Sequence, residues 1–343
     1  MLYLDNAATT KPYYYKLNYW GNPNSPHEFG RSAHEFIEQA RQIKDYLSLD
    51  DGVLIFGGNA TTLVNQLTNL IHQREIETGE SVSYFVPDKN HECTYRIGGF
   101  YVPDSTKKIF FHEAVNSVTG EIASVTLKTN PNVFSVIDLT AAIGHINIHN
   151  ICDYYDCCFA SAHKWGGFQG SGFIWFNNRF ADYLNIDKNE PEKSFGILGT
   201  PDIRSIEQMY YAFNDSCRYL ETAKKVFTNL THEMYTAFSE LGIEAERITG
   251  GNRCTDAIHA IHLPGIKAEP LVQYLSGRNI YISPGHSACS GEADYRVLKA
   301  YGLSQEKAEE TIRVSFSRFN SREGIHRFVE KVAQYKNLFL LED

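Results

Sequence analysis

Short unbroken apolar runs alternate along the first two thirds of the chain with stretches whose apolar positions recur at helical spacing. Val53-Leu54-Ile55-Phe56 is one such run and suits a strand covered on both faces. Gly57-Gly58-Asn59 follows as a turn, after which Leu63, Leu67, Leu70 and Ile71 fall on one helical face. Residues 83–86, 108–111, 133–137, 157–160 and 172–176 read as further strands, and 31–48 and 203–241 as helical stretches. Strands separated by helices predict an α/β architecture with a mostly parallel sheet. The last third is patterned differently. Strand candidates at 256–263 and 279–283 precede charged amphipathic helices at 304–312 and 321–338, which predicts a second, smaller α+β domain. The boundary falls near residue 215, and no Pro/Gly-rich linker marks it.

Length agrees with this division, since 343 residues exceed the usual size of a single core. A net charge of -9 argues against direct nucleic-acid binding, because Lys107-Lys108 and Lys224-Lys225 are isolated pairs rather than a basic patch. The apolar runs are too short to span a bilayer, and Met1-Leu2-Tyr3-Leu4-Asp5 lacks the basic-then-apolar pattern of a signal peptide. Seven cysteines, an odd number with no Cys-x-x-Cys, argue against a disulfide framework or a zinc site and for the cytoplasm.

Several segments carry candidate chemistry. Ser161-Ala162-His163-Lys164 ends an apolar run, and a lysine desolvated there is a Schiff-base candidate, whereas a solvated lysine after a strand is the bland alternative. Ser161 and His163 have the groups to bind a phosphate, and Gly166-Gly167-Phe168-Gln169-Gly170-Ser171-Gly172 lets backbone approach a ligand. Asp138 closes the run Val133 to Ile137, where a carboxylate is costly unless paired with a cation or used, with Thr140, to cap the next turn. Asn59-Ala60-Thr61-Thr62 stands between a strand and a helix, as an anion site at a helix N-terminus or as an ordinary N-cap. His91, in Asn90-His91-Glu92, has the chemistry to stack on a ring and move protons, or is structural.

Cys289 sits in the Gly/Ser-rich stretch from Ser283 to Gly291, with His286 nearby to favour a thiolate. Cys157 and Cys158, inside an apolar run, read instead as small buried hydrophobes. In Ile312-Arg313-Val314-Ser315-Phe316, Arg313 and Ser315 share a strand face, and the arginine is a carboxylate binder or a surface ion pair. His145, His149, His259 and His262 read as strand-face histidines rather than metal ligands, because no third ligand has suitable spacing.

Taken in order, these segments resemble the cysteine desulfurases of the class V aminotransferase family, from residue 3 to about 330. The resemblance is carried by Tyr3-Leu4-Asp5-Asn6-Ala7-Ala8-Thr9-Thr10, by Gly21-Asn22-Pro23-Asn24-Ser25-Pro26-His27-Glu28-Phe29-Gly30-Arg31 and by Asp156 through Lys164. It is carried also by Ser287-Ala288-Cys289-Ser290 with Val297 through Leu303. It implies pyridoxal 5'-phosphate (PLP) fold type I, with a mostly parallel seven-stranded sheet in a large domain at 12–215. Residues 1–11 and 216–343 would form the small domain that carries the persulfide loop.

The resemblance also implies roles. Lys164 would hold PLP as a Schiff base, Asp138 would pair with the pyridine nitrogen and His91 would stack on the ring. Ala60, Thr61, Ser161 and His163 would hold the phosphate, with Thr200 from the other subunit of a homodimer. Asn116 would lie near the ring edge, Arg313 and Asn6 would bind L-cysteine, and Cys289 would take the sulfur for an unidentified acceptor protein. There are departures. Ala141 stands where the family has a glutamine, and Ser117 where it has a second asparagine. The stretch Phe195 to Thr200 is shortened, the segment from Pro12 to Gly21 has no room for the usual first helix, and the loop around Cys289 differs in length. They keep open another class V reaction, such as an aminotransferase or a lyase of selenocysteine or a cysteine derivative, and a non-catalytic scaffold.

Overall fold

The computed structural model describes residues 1–98, 101–124, 130–286 and 295–339. The chain divides into two compact units, one of Lys11–Ala114 with Ser124–Arg218, the other of Met1–Thr10, Val115–Ala123 and Tyr219–Asp343. The chain enters through β1 (Leu2–Tyr3), in the smaller unit. The larger unit then builds β2 (Val53–Gly57), β3 (Val82–Phe85), β4 (Lys107–Glu113), β5 (Val133–Asp138), β6 (Cys157–Ser161) and β7 (Gly172–Phe176). These are the six runs read as strands above; among the described residues the sheet has six strands, one fewer than the resemblance implies.

The sheet order is β2-β7-β6-β5-β4-β3. The pairs β3–β4, β4–β5 and β5–β6 are parallel, while β7 runs antiparallel to both of its neighbours. Every residue of β6 and β7 is buried, as their unbroken apolar sequences demand of strands covered on both faces. Because β4, β5 and β6 run the same way, their carboxyl ends emerge on one side of the sheet, where ligands of open α/β sheets bind. Register brings Glu113 opposite Asp138, and Asp138 opposite Phe159. The amino ends are tied by Asp156, whose carboxylate accepts from the Ser135 amide (2.9 Å), Asn177 Nδ2 (2.9 Å) and Arg179 Nη2 (2.7 Å).

Two expected helices are divided. The stretch expected at 31–48 is Glu28–Ala40 followed by the short Ile43–Leu47. The one expected at 203–241 is Ile203–Arg218, the last element of the larger unit, and Leu220–Glu240, which belongs to the smaller.

The smaller unit adds β8 (Glu246–Arg247), β9 (Ile258–His262), β10 (Ile280–Tyr281), β11 (Ser283–Pro284) and β12 (Thr311–Ser315). An antiparallel sheet has the order β11-β12-β9-β8, and β1 pairs in parallel with β10. The single strand expected at 279–283 is thus two short ones in different sheets. Helices Leu220–Glu240 and Arg322–Phe339 meet through Phe238 and Phe328, whose ring centroids lie 5.9 Å apart, and through Glu233 with Arg322 and His326. Among the described residues no helix is long and apolar enough to cross a membrane.

Candidate active site

The larger unit gathers its candidate residues at the carboxyl ends of its parallel strands. Asp138 is the last residue of β5 and is buried. Its Oδ1 accepts from the Thr140 amide at 2.7 Å, so the capping role expected as the bland alternative is real. The Cys93 thiol lies 3.8 Å from Oδ2. Burial pushes the Asp138 pKa up, and Thr140, the positive charge of Lys164 and the Cys93 thiol oppose that rise. The site therefore holds a carboxyl group poorly compensated by the chain alone, as befits one awaiting a cationic partner.

Lys164 closes the 3-10 turn Ala162–Lys164 directly after β6 and is 7% exposed, which excludes the solvated lysine. Its charge acts on Asp138, His145 and His163, so these four groups share one electrostatic neighbourhood. Burial first, and Lys164 second, lower the His163 pKa to about 4; the imidazole is neutral at pH 7. Ser161, the last residue of β6, donates its amide to Thr140 Oγ1 at 3.0 Å. Its own hydroxyl oxygen is buried and has no partner among the described residues. Beyond the lysine, Gly166 has φ +99°, and a Cβ there would run into the Tyr13 ring.

His91 caps the short helix Glu92–Tyr95, its Nδ1 accepting from the Cys93 amide at 3.3 Å while its own amide donates to Glu113 Oε1. Asn59 caps the helix Ala60–Thr78 by accepting from the Thr62 amide at 3.0 Å. The amides of Ala60 and Thr61 have no partner in the chain among the described residues, which leaves a 19-residue helix with an open N-terminus. Thr200 is exposed, 3.4 Å from Asn22 Nδ2, and lines a cavity of about 610 Å³ together with Gly57, Gly58, Ser171 and Gly199. Lys164, Asp138 and His91 do not line that cavity.

The smaller unit holds the other candidates. Arg313, on β12, is 3% exposed, so it is no surface ion pair. Its Nη2 donates to Asp5 Oδ1 (2.9 Å) and Ser283 Oγ (3.2 Å), and Nη1 to the Ser117 carbonyl (3.3 Å). Its buried Nε has no partner among the described residues. All five residues of β12 are buried, on both faces rather than one. Asn6 Nδ2 donates to the Ser315 carbonyl at 3.0 Å. Asn116 lies in this unit rather than with Asp138, and its Oδ1 accepts from the amides of Val118 and Thr119, both at 3.0 Å. Cys289 lies outside the described residues.

His259 and His262 are on a strand as expected, on β9. His145 and His149 are not: both lie in the turns after β5, where the alternation of His145-Ile146-Asn147-Ile148-His149 has no strand to pair with among the described residues. His145 is buried, with its Nδ1 2.9 Å from the Ala141 carbonyl and its pKa lowered to about 4, mainly by burial. Cys157 and Cys158 are fully buried, as an apolar run requires. Sequence reasoning passed over Cys93 and Asp5. Cys93 stands two residues after His91, in the first turn of a helix too short to show periodicity, and Asp5 meets Arg313 only through a 308-residue separation.

A sequence profile of the family described as aminotransferase class-V matches residues 100–328. The chain is 26% identical over 386 residues to the cysteine desulfurase IscS of Buchnera aphidicola subsp. Schizaphis graminum, covering 96% of this chain and 91% of that one. It is 26% identical to a putative cysteine desulfurase NifS of Halalkalibacterium halodurans, covering 97% and 98%. In three dimensions it resembles a NifS-like protein with a TM-score of 0.81 at 22% identity, over 98% of this chain and 99% of the other. The NifS-like protein from Rickettsia africae gives a TM-score of 0.79 at 18% identity with the same coverage. At these identities the solved structures speak for the fold alone. With the family profile matching well over half of its length, the chain belongs to the class-V aminotransferase family.

Proposed function

We propose that this chain is a PLP-dependent cysteine desulfurase. It takes sulfur from L-cysteine, releases L-alanine and carries the sulfur as a persulfide on Cys289 to an acceptor protein. The observation that carries this reading is the pairing of a buried lysine, Lys164, with a buried, undercompensated carboxyl, Asp138, at the carboxyl ends of adjacent parallel strands. The residues fit PLP. The unpartnered Ser161 hydroxyl and the open amides of Ala60 and Thr61 suit a phosphate, and Asp138 suits a protonated pyridine nitrogen. The named relatives, a cysteine desulfurase and a putative cysteine desulfurase, support the choice of reaction within the family.

When bound, PLP supplies an electron-withdrawing ring that stabilises negative charge at the substrate Cα. Asp138 would keep the ring nitrogen protonated, and Lys164 Nζ would hold the cofactor at rest and serve as the base for the Cα proton. His91, with Nδ1 accepting from the Cys93 amide, presents its proton at Nε2. Arg313 would take the substrate carboxylate, with its buried Nε, unpartnered among the described residues, available for a second, parallel hydrogen bond, and Asn6 would take part in the same binding. Cys289 attacks the substrate sulfur as a thiolate. The new S–S bond forms as the S–Cβ bond breaks; the electron pair goes to Cβ, which takes a proton to become the alanine methyl group. In the same reading the protein is a cytoplasmic homodimer in which Thr200 of one chain serves the phosphate of the other, and exposure of Thr200 supports this.

The test is an intact-protein mass spectrum after brief incubation with PLP and L-cysteine without reductant. The expected result is a gain of one sulfur atom, removed by a thiol, mapped to Cys289 and absent from Cys289→Ser, with alanine as co-product. A keto acid in place of alanine, from protein with bound cofactor, refutes the desulfurase and leaves an aminotransferase.

A further inference from the structure

Cys93 differs from Cys157 and Cys158, which lie inside an apolar strand. It is 3% exposed, which suits no sulfur carrier, yet it touches two polar groups at once. Its Sγ lies 3.2 Å from His91 Nδ1 and 3.8 Å from Asp138 Oδ2. The Cys93 amide donates to the same Nδ1 at 3.3 Å, which fits the tautomer that carries its proton on Nε2. Asp138 Oδ1 is engaged separately by the Thr140 amide, which leaves Oδ2 as the oxygen the thiol reaches. The thiol has one proton and two acceptors, one on each side chain assigned above to the cofactor ring.

We propose that Cys93 is a positioning residue of the cofactor site, its S–H shared between Asp138 Oδ2 and His91 Nδ1. It thereby couples the carboxylate that pairs with the ring nitrogen to the imidazole that lies on the ring. This rests on the reading of Asp138 and His91 given under the proposed function. The need is physical. Asp138 must stay ionised to pair with a pyridinium N–H, burial works against that, and the Cys93 thiol is one of few groups opposing burial. Thr140 and Lys164 oppose it too, and Cys93 in addition lies 3.2 Å from His91 Nδ1. A thiol is a weak donor, so its loss is expected to weaken PLP binding about two- to fivefold rather than abolish it.

The experiment is a PLP titration of cofactor-free protein, read by the visible absorbance of the lysine-bound cofactor, for the natural chain, Cys93→Ala, Cys93→Val and Cys93→Ser. Ala vacates the sulfur's volume, Val fills it without a donor, and Ser keeps a donor whose greater strength offsets its shorter reach. Both donor-free variants are expected to bind PLP about two- to fivefold more weakly, with Ser nearer the natural chain than either. Natural affinity in Cys93→Val would make the residue a packing element and overturn the inference, as would Cys93→Ser binding no better than Val. If the natural chain itself develops no such absorbance, the cofactor assignment fails, and this inference with it.

Discussion

Arg179→Ala removes the outer half of a buried ion pair that ties the central strands together. Asp156 is 1% exposed, and Arg179 reaches it through Nη2 at 2.7 Å and Nε at 3.2 Å. Arg179 also donates to the Val133 carbonyl at 2.8 Å and stacks 4.4 Å above the Phe134 ring. Breaking a buried pair by deleting one partner costs about 3–5 kcal/mol, because the surviving charge is stranded. Two features reduce this figure. Asp156 retains the Ser135 amide and Asn177, and the Arg179 side chain is 36% exposed, so water can reach part of the gap. The lost ring contact adds back about 0.5–1 kcal/mol. The expected destabilisation of the larger unit is therefore about 3 kcal/mol. As the control, Lys188→Ala removes an exposed pair with Asp182, 3.6 Å long, expected to matter by less than about 0.5 kcal/mol beyond its bond to Asn178. Urea unfolding followed by tryptophan emission measures the right part of the molecule, since Trp20, Trp165 and Trp175 all belong to the larger unit. Equal midpoint shifts for the two variants, with unchanged denaturant slopes, would show that the Arg179–Asp156 pair stabilises the larger unit no more than an exposed one does.

Asp138→Asn should raise the melting temperature of the cofactor-free protein at pH 7 while weakening its visible absorbance with PLP. A carboxyl pKa raised on folding contributes stability that is present below its ordinary value of 3.8 and lost as pH rises through the folded value, so the gain should vanish near pH 4. A melting temperature at pH 7 that does not rise contradicts this. His145 carries the opposite sign: its pKa falls from 6.5 to about 4 on folding, so its contribution is full above pH 6.5 and lost as pH falls through 4. His145→Gln should therefore flatten the fall in stability between those pH values by up to about 3 kcal/mol; an unchanged profile of melting temperature against pH would exclude it. Arg313→Ala should raise the KM for L-cysteine about 10- to 150-fold with a smaller change in kcat, as loss of a charge-assisted hydrogen bond predicts, and an unchanged KM removes Arg313 from the substrate site.

The six strands of the large sheet were legible because each carries a short, mostly apolar run, unbroken in Cys157-Cys158-Phe159-Ala160 and interrupted by a single serine in Val133-Phe134-Ser135-Val136-Ile137. Asp138 and Lys164 were legible for the complementary reason: each is an ionisable residue where such a run stops, and a charge there needs an explanation that a surface charge does not. Helix boundaries were less legible. The break at Tyr219 interrupts neither the helical pattern nor the run of helix-forming residues, and becomes visible only because the two helices belong to different units.

The sequence by itself determined the class of fold, the order of its strands along the chain and the residue types at the strand ends, because apolar periodicity and stranded charge are local properties. Only the tertiary structure decided which groups meet. The pairing of Arg313 with Asp5 and the contact of Cys93 with both His91 and Asp138 join residues whose separations carry no periodic signal. So does the assignment of Val115–Ala123, between two segments of the larger unit, to the smaller one. Strand order in the sheet, with β7 inserted antiparallel between β2 and β6, is likewise a matter of which edges pair, and edge pairing depends on packing that no stretch of sequence records alone.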